Sequence, residues 1–325
     1  MKFPSIAFRL AAAALLAGAT AGAFAQAAYP DKPIKLIVPF PAAGGTDIVG
    51  RALAVKLGAA LGQSVVVDNR VGGNTVVGTH VVAKAAPDGY TLLFTSSSFT
   101  ATPALLKNLP YDTIKDFQPV CLAAFHPFVM LADPAAPFRN VRELIAYAKA
   151  NPGKVNYASP GNGTSQHVEM EEFKRVAGID MTHIPYKGSQ DMATDLMTGR
   201  VSVMFNGVSP TIGFVRSGKM RALAVDSLKR VPLLGDVPTI DESGLPGFTN
   251  ITWSGLLAPA NTPKPIVDKI NAACTAAIGS PDLVANLSGM GLDPAGLGPA
   301  QFQDFLKQDL ERWSKLVRQS GAKVD

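Results

Sequence analysis

Ile34-Lys-Leu-Ile-Val-Pro-Phe40, followed at once by Pro41-Ala-Ala-Gly-Gly-Thr-Asp47, reads as a strand that runs through a small-residue turn into a helix. The apolar run is too short for a helix and rich in branched side chains, so its first half is a buried strand. Asp47 then precedes apolar positions at Ile48, Ala52, Leu53, Leu57, Ala60 and Leu61, with Gly62 as the stop. Val65 to Val67 is the next strand, Asn74 to Ala85 a second helix, Pro87-Asp-Gly89 a turn, and Thr91 to Phe94 a third strand. This β-α-β-α-β order predicts a parallel sheet with helices on its faces.

The pattern returns further along. Phe128 to Ala132 is a strand, and Asn140 with Glu143 forms a capping arrangement ahead of a helix over Val141 to Ala150. Strands over Val155 to Ala158, Met181 to Ile184 and Val201 to Phe205 alternate with helices over Thr164 to Ala177 and Ser189 to Thr198. Gly218 ends one more short helix before a strand at Arg221 to Val225. From Pro232 to Pro265 the chain is irregular except for Ile251 to Ala258, and beyond it amphipathic helices at Pro265 to Ile278 and Pro299 to Gln319 add no further α/β unit. A tail of helices suits a chain that returns to its first domain. The expected division is 26–125 with 251–325 as domain 1 and 126–250 as domain 2, with a ligand cleft between them.

Residues 1–25 read as a cleavable secretory signal: Lys2 and Arg9, an Ala/Leu run from Leu10 to Ala17, and Ala23-Phe-Ala25 as the cleavage site. A membrane anchor is the alternative, but Gly18, Thr20 and Gly22 break the run and it is short for a span. Among 325 residues, 30 Lys+Arg face 25 Asp+Glu; the segment carries two of the basic residues and no acidic ones, so its removal takes the formal charge from +5 to +3. That leaves no electrostatic case for nucleic acid. An exported protein permits a disulfide between Cys121 and Cys274, but spacing cannot show one, and two buried small hydrophobes is the preferred expectation.

Most motifs fail. Gly213-Phe-Val-Arg-Ser-Gly-Lys219 lacks the Ser or Thr that a phosphate loop needs, because Met220 stands there. Gly161-Asn-Gly163 with Gln166 is a dinucleotide fingerprint without its third glycine. His80, His126, His167 and His183 show no metal-ligand spacing, and no G-x-S-x-G is present. No cofactor and no metal are expected. Thr95 and Ser96 to Ser98 form a hydroxyl cluster after a strand, better suited to turns or ligand hydrogen bonds than to nucleophilic catalysis.

One device occurs twice. Phe40 to Asp47 and Ser159-Pro-Gly-Asn-Gly-Thr164 each join a strand end to a helix start through small residues. Free backbone N–H groups and the positive helix end make such a turn an anion site. Each turn alone is equally an ordinary capped βα turn; the recurrence favours a ligand clamp, which needs no Arg.

At these residues the chain resembles the Bug (Bordetella uptake gene) family, extracytoplasmic substrate-binding subunits of tripartite tricarboxylate transporters. The likeness runs from about Tyr29 to the C-terminus, through Tyr29-Pro-Asp-Lys-Pro-Ile34, Val38 to Asp47, Leu109-Pro-Tyr-Asp112, Ala158 to Thr164 with His167, Pro185-Tyr-Lys-Gly188, Asp236-Val-Pro-Thr239 and Gly255-Leu-Leu-Ala-Pro-Ala260. The resemblance implies the type II periplasmic binding protein fold, two α/β domains with a hinge and an interdomain cleft. It implies a periplasmic, monomeric, non-enzymatic receptor that closes on a small carboxylate and delivers it to a membrane permease. The site it implies comprises Phe40, Pro41, Ala42, Ala43, Gly44, Gly45, Thr46 and Asp47 in the first turn. Ser159, Gly161, Gly163 and Thr164 with His167 form the second, and Ser96, Ser97, Ser98, Tyr186 and Asn206 surround the rest of the ligand. Ala43 stands where the family commonly has glycine. Asn206 replaces a frequent Asp that could pair with a ligand ammonium, so the expected ligand is a plain mono- or dicarboxylate, aromatic acids included, rather than an amino acid. An exported hydrolase-like enzyme of the same architecture and a receptor for a sensor kinase are the competing readings.

Overall fold

In the computed structural model, β1 (Ile34–Val38) is buried at every position except Lys35, as a strand with both faces covered must be. The structure describes residues 29–320 apart from 43, 107, 163, 187–188 and 250–251; the signal segment 1–25 lies outside the described residues. β1 pairs in parallel with β2 (Val65–Asn69) on one side and β3 (Thr91–Ser96) on the other. Helix α1 (Gly45–Leu61) and helix α2 (Val76–Ala83) make the two crossovers. Gly62 caps α1 at φ 71°, a left-handed conformation that a side chain would strain. The buried stripe of α1 is Val49, Leu53, Leu57 and Leu61, spaced four apart. Of the apolar positions read from the sequence, Leu53, Leu57 and Leu61 lie in this stripe, whereas Ile48 and Ala60 are exposed.

Three more strands complete the first sheet, in the order β11-β4-β10-β3-β1-β2, with β4 (Phe117–His126), β10 (Thr252–Pro259) and β11 (Asp293–Leu297). β10 lies antiparallel between β3 and β4. One face packs α1 and α8 (Lys264–Ile278) over Leu36, Phe94, Ala124 and Leu256. The other packs α2, α3 (Ser98–Leu105) and α10 (Pro299–Ser320) over Ile37, Leu93, Leu122 and Trp253. Two expectations are corrected. The tail does not add only helices: after α9 (Pro281–Gly289), β11 joins the sheet edge, where a Pro/Gly-containing Asp-Pro-Ala-Gly-Leu strand is tolerated. The loop expected after β3 is instead the start of α3, whose hydroxyls bond back to the helix's own carbonyls, Thr102 Oγ1 to Ser98 O at 2.6 Å.

The second sheet has the order β7-β6-β8-β5-β9. Its elements run β5 (Phe128–Ala132), α4 (Val141–Ala150), β6 (Asn156–Ser159), α5 (Ser165–Ala177), β7 (Thr182–Pro185), α6 (Ser189–Met197), β8 (Val203–Gly207), α7 (Val208–Arg216) and β9 (Arg221–Val225). Asn140 caps α4 by accepting from Glu143 N at 2.9 Å, while the Glu143 carboxylate takes Arg139 N. The chain passes between the sheets at Pro127 and again before β10. Trp313 and Leu316 of α10 pack with Ala101 of α3 and Val168 of α5, so the C-terminal helix touches both lobes.

Cys121 and Cys274 are joined, which corrects the expectation of two separate thiols. Both are fully buried, and the packing of α8 across β4 brings their Cα atoms to 6.6 Å. The bond spans 153 residues, a loop that contains the whole second sheet, so the unfolded chain loses much freedom to it. Replacing both cysteines with Ala is expected to lower unfolding free energy by about 2–5 kcal/mol in a urea titration; equal stability of wild type with and without reductant would contradict this.

Candidate functional site

The first turn is built on a ring of side chains behind it. Asn69, at the end of β2, donates through Nδ2 to Phe40 O at 3.0 Å and to Asp47 Oδ1 at 2.8 Å. Arg51, one turn into α1, binds Asp47 Oδ2 at 2.8 Å and Asn69 Oδ1 at 2.7 Å. Asp47 is 1% exposed and faces inward, so its carboxylate braces the turn. Gly44 is the N-cap, with extended backbone and no side chain to satisfy the first helical N–H groups. Pro41, Ala42 and Gly45 are exposed, and Phe40, Gly44 and Thr46 half-buried. A Cβ at Gly45 would meet nothing within 4 Å, so the ground in front of this helix end is open. Ala43 and, in the second turn, Gly163 lie outside the described residues.

The second turn hangs from Ser159, fully buried at the end of β6. Its Oγ is 2.6 Å from His183 Nε2 and accepts from Gly161 N at 3.2 Å. Gly161 has φ 142°, and its carbonyl accepts from Thr164 Oγ1 at 2.8 Å. Thr164 caps α5 by accepting from His167 N. Tyr186 N donates to Ser159 O at 2.9 Å, but the Tyr186 hydroxyl is turned to Asp195 at 2.8 Å; burial and that carboxylate push it up to about 12. His167 is buried, its ring stacked on His183 with centroids 4.0 Å apart. His183 in turn stacks on Tyr157 at 4.8 Å. Burial first, then the neighbouring His167, lowers His183 to about 4, so the ring is neutral at pH 7.

His183 carried no motif signal; the pairing of Tyr157 with His183 across β6 and β7 brings it to Ser159. Ser159 and His183 do not make a nucleophile, since the hydroxyl is fully buried and bonded to its own turn. Among the described residues no group of three or more His, Cys, Asp or Glu side chains could hold a metal ion.

Ser96 ends β3 opposite Ser254 of β10. Ser97 is buried, donating its N–H to Trp253 O at 3.2 Å, and Ser98 is half-buried in the first turn of α3. Asn206 is 5% exposed near the end of β8, its Oδ1 accepting from Gly207 N at 2.9 Å, and Gly207 caps α7 without a side chain. The lobes meet beside it: Gly291, at φ 73°, lies so near Val208 that a Cβ would come within 2.6 Å of Cγ1. Where the chain enters the second lobe, Asp226 Oδ1 accepts from Phe128 N at 2.7 Å. Burial and the adjacent Glu169 hold the Asp226 carboxyl well above the usual carboxylate range.

Residues 49–322 match the tripartite tricarboxylate transporter family receptor, TctC. The periplasmic binding protein BugD is 36% identical, with a TM-score of 0.75 over 91% of this chain and 99% of that one. A Rhodopseudomonas palustris protein, Rpa4515 with adipate, is 34% identical with a TM-score of 0.79 over 91% and 100%. MatC from the same organism, with bound malate, is 31% identical with a TM-score of 0.74 over 89% and 100%.

Two outcomes follow from the geometry. Gly45→Ala is expected to leave the melting temperature within about 2 °C while weakening ligand binding at least about tenfold, because the methyl fills open ground and touches no protein; unchanged affinity would place the ligand elsewhere. His126 and His183 both sit near 4, below the ordinary 6.5 of histidine. Between those values the unfolded chain binds protons that the folded one refuses, so stability falls as pH drops from 6.5 toward 4. Melts from pH 7.5 to 4.5 should show this decline, with a shallower one in His183→Gln, and equal slopes would overturn the assignment.

Proposed function

The chain belongs to the tripartite tricarboxylate transporter receptor family, and from that premise we propose that it is exported, captures a plain carboxylate between its lobes and hands it to a membrane permease. As a member of that family it is a solute-binding receptor with the periplasmic-binding-protein fold, not an enzyme. The observation that carries the ligand class is the pair of helix starts at strand ends, α1 behind Gly44 and α5 behind Thr164. Each presents backbone N–H groups and a positive helix end to an anion. The relatives with adipate and malate bind the same class of group.

In this reading residues 26–125 with 251–325 and residues 126–250 are two bodies, closing as a monomer about the crossings at Pro127 and ahead of β10. The ligand binds the closed form better than the open one, and that difference drives closure. Phe40 to Asp47 and Ser159 to Thr164 hold one carboxylate from the two sides, with Asp47, His167 and His183 acting behind the turns. Ser96 to Ser98, Tyr186 and Asn206 border the remainder of the ligand. Asn206 brings no charge there, which favours mono- and dicarboxylates, aromatic ones included, over amino acids. Cleavage after Ala25 frees the chain in the periplasm.

A thermal-shift screen of the mature chain tests this against mono-, di- and tricarboxylates, aromatic acids and amino acids. A ligand at a hundred times its Kd adds about 2.7 kcal/mol of stability, well within reach of a melt. The expected hit is a plain carboxylate. Stabilisation by glutamate or aspartate and by no plain acid would overturn the ligand class, and silence across all acids would overturn the clamp.

A further inference from the structure

The outer end of the first sheet carries a polar cluster beside the first turn. Side chains alternate along a strand, so residues that share a core layer reveal which way their neighbours point. Phe94, Ala124 and Leu256 lie in the layer under α1 and α8, whereas Leu93, Leu122 and Trp253 lie in the opposite one. Ser96, His126 and Ser254 therefore project on the α1 side, at the sheet end where β1 feeds the turn that starts α1. The register agrees: Ser254 stands opposite both Ser96 and Ala124, and His126 opposite Thr252.

His126 Nε2 is 2.8 Å from Ser254 Oγ, and among the described residues that hydroxyl is the ring's sole hydrogen-bond partner. Nδ1 has no hydrogen-bond partner among the described residues. Burial lowers this histidine to about 4, which keeps the ring neutral at pH 7. A neutral imidazole held at one nitrogen by a hydroxyl is fixed in orientation. With Ser254 donating to Nε2, the proton sits on Nδ1, and the ring can donate to an oxygen in the cleft.

We propose that His126 is a specificity-determining residue, donating from Nδ1 to a carboxylate at the far end of the ligand from the one held by the helix starts, and so favouring dicarboxylates over monocarboxylates of equal length. This rests on the carboxylate-receptor reading above and narrows it. Ser254 positions the ring, and Ser96 is its neighbour across the strand pair.

Titration calorimetry on the mature chain tests it with two ligand pairs, adipate against hexanoate and malate against butyrate. His126→Leu is expected to weaken at least one diacid about tenfold or more while leaving its monoacid within about threefold. His126→Asn, whose amide nitrogen reaches the Nδ1 position, should recover part of that loss. Ligand-free melts and circular dichroism check that each variant folds. An equal loss for diacid and monoacid reads as a merely structural role and overturns the proposal, as does unchanged diacid binding or a wild type that binds only the monoacids. A wild type that binds no acid overturns the receptor reading itself, and this inference with it.

Discussion

The first lobe depends on one insertion. β10, buried at all eight positions, returns from the second lobe and slides antiparallel between β3 and β4. Without it β4 and β11 would have no sheet to join. The insertion must overcome the entropy of closing a loop longer than a hundred residues, and that cost grows only slowly with length. Full burial of Trp253, Leu256 and Leu257 offsets it. The same strand recruits the C-terminal helix: Trp253 Nε1 donates to Asp309 Oδ2 at 2.8 Å, Thr100 Oγ1 to the same oxygen at 2.6 Å, and Arg312 neutralises the carboxylate at 2.6 Å. A buried charge with three such partners is satisfied; with any one removed it becomes a liability.

Both turns work by the same division of labour. The groups facing outward are backbone, and the side chains stand behind them. Asn69, Asp47 and Arg51 hold the first turn in shape, while His183, Ser159 and Thr164 hold the second. In the proposed reading, backbone donors held in this way need no reorganisation to bind an anion, which is where preorganised sites gain affinity. In the proposed clamp the helix starts supply the positive potential, and selectivity among acids falls to the neutral groups around the remainder of the ligand.

A pair of buried acids sits beside the crossings between the lobes. Asp226 and Glu169 are buried together, and burial first, then the neighbouring Glu169, hold the Asp226 carboxyl well above the usual carboxylate range. Its Oδ1 ties the first residue of β5 to the end of β9. Gly291 against Val208 is a second contact between the lobes, so close that a side chain at 291 would prevent it.

Local order was legible in the chain itself. The strand at Ile34, the glycine stop at Gly62, the cap at Asn140 and both small-residue turns follow from patterns within ten or so residues, and the turns also carry the family likeness. Long-range partners were not legible. Asp293-Pro-Ala-Gly-Leu has little strand propensity and becomes β11 because β4 offers an unpaired edge. Cys121 meets Cys274, Ser159 meets His183, and His126 meets Ser254, at separations from 24 to 153 residues. The amino-acid order alone sets the strand–turn–helix units, such as β1 into α1 and β6 into α5, because dihedral preference and side-chain period are local properties, but it hid β11 and the start of α3. Tertiary structure alone decided which strand is inserted between which and which side chains stand behind each turn, because those depend on packing between segments that no local pattern records.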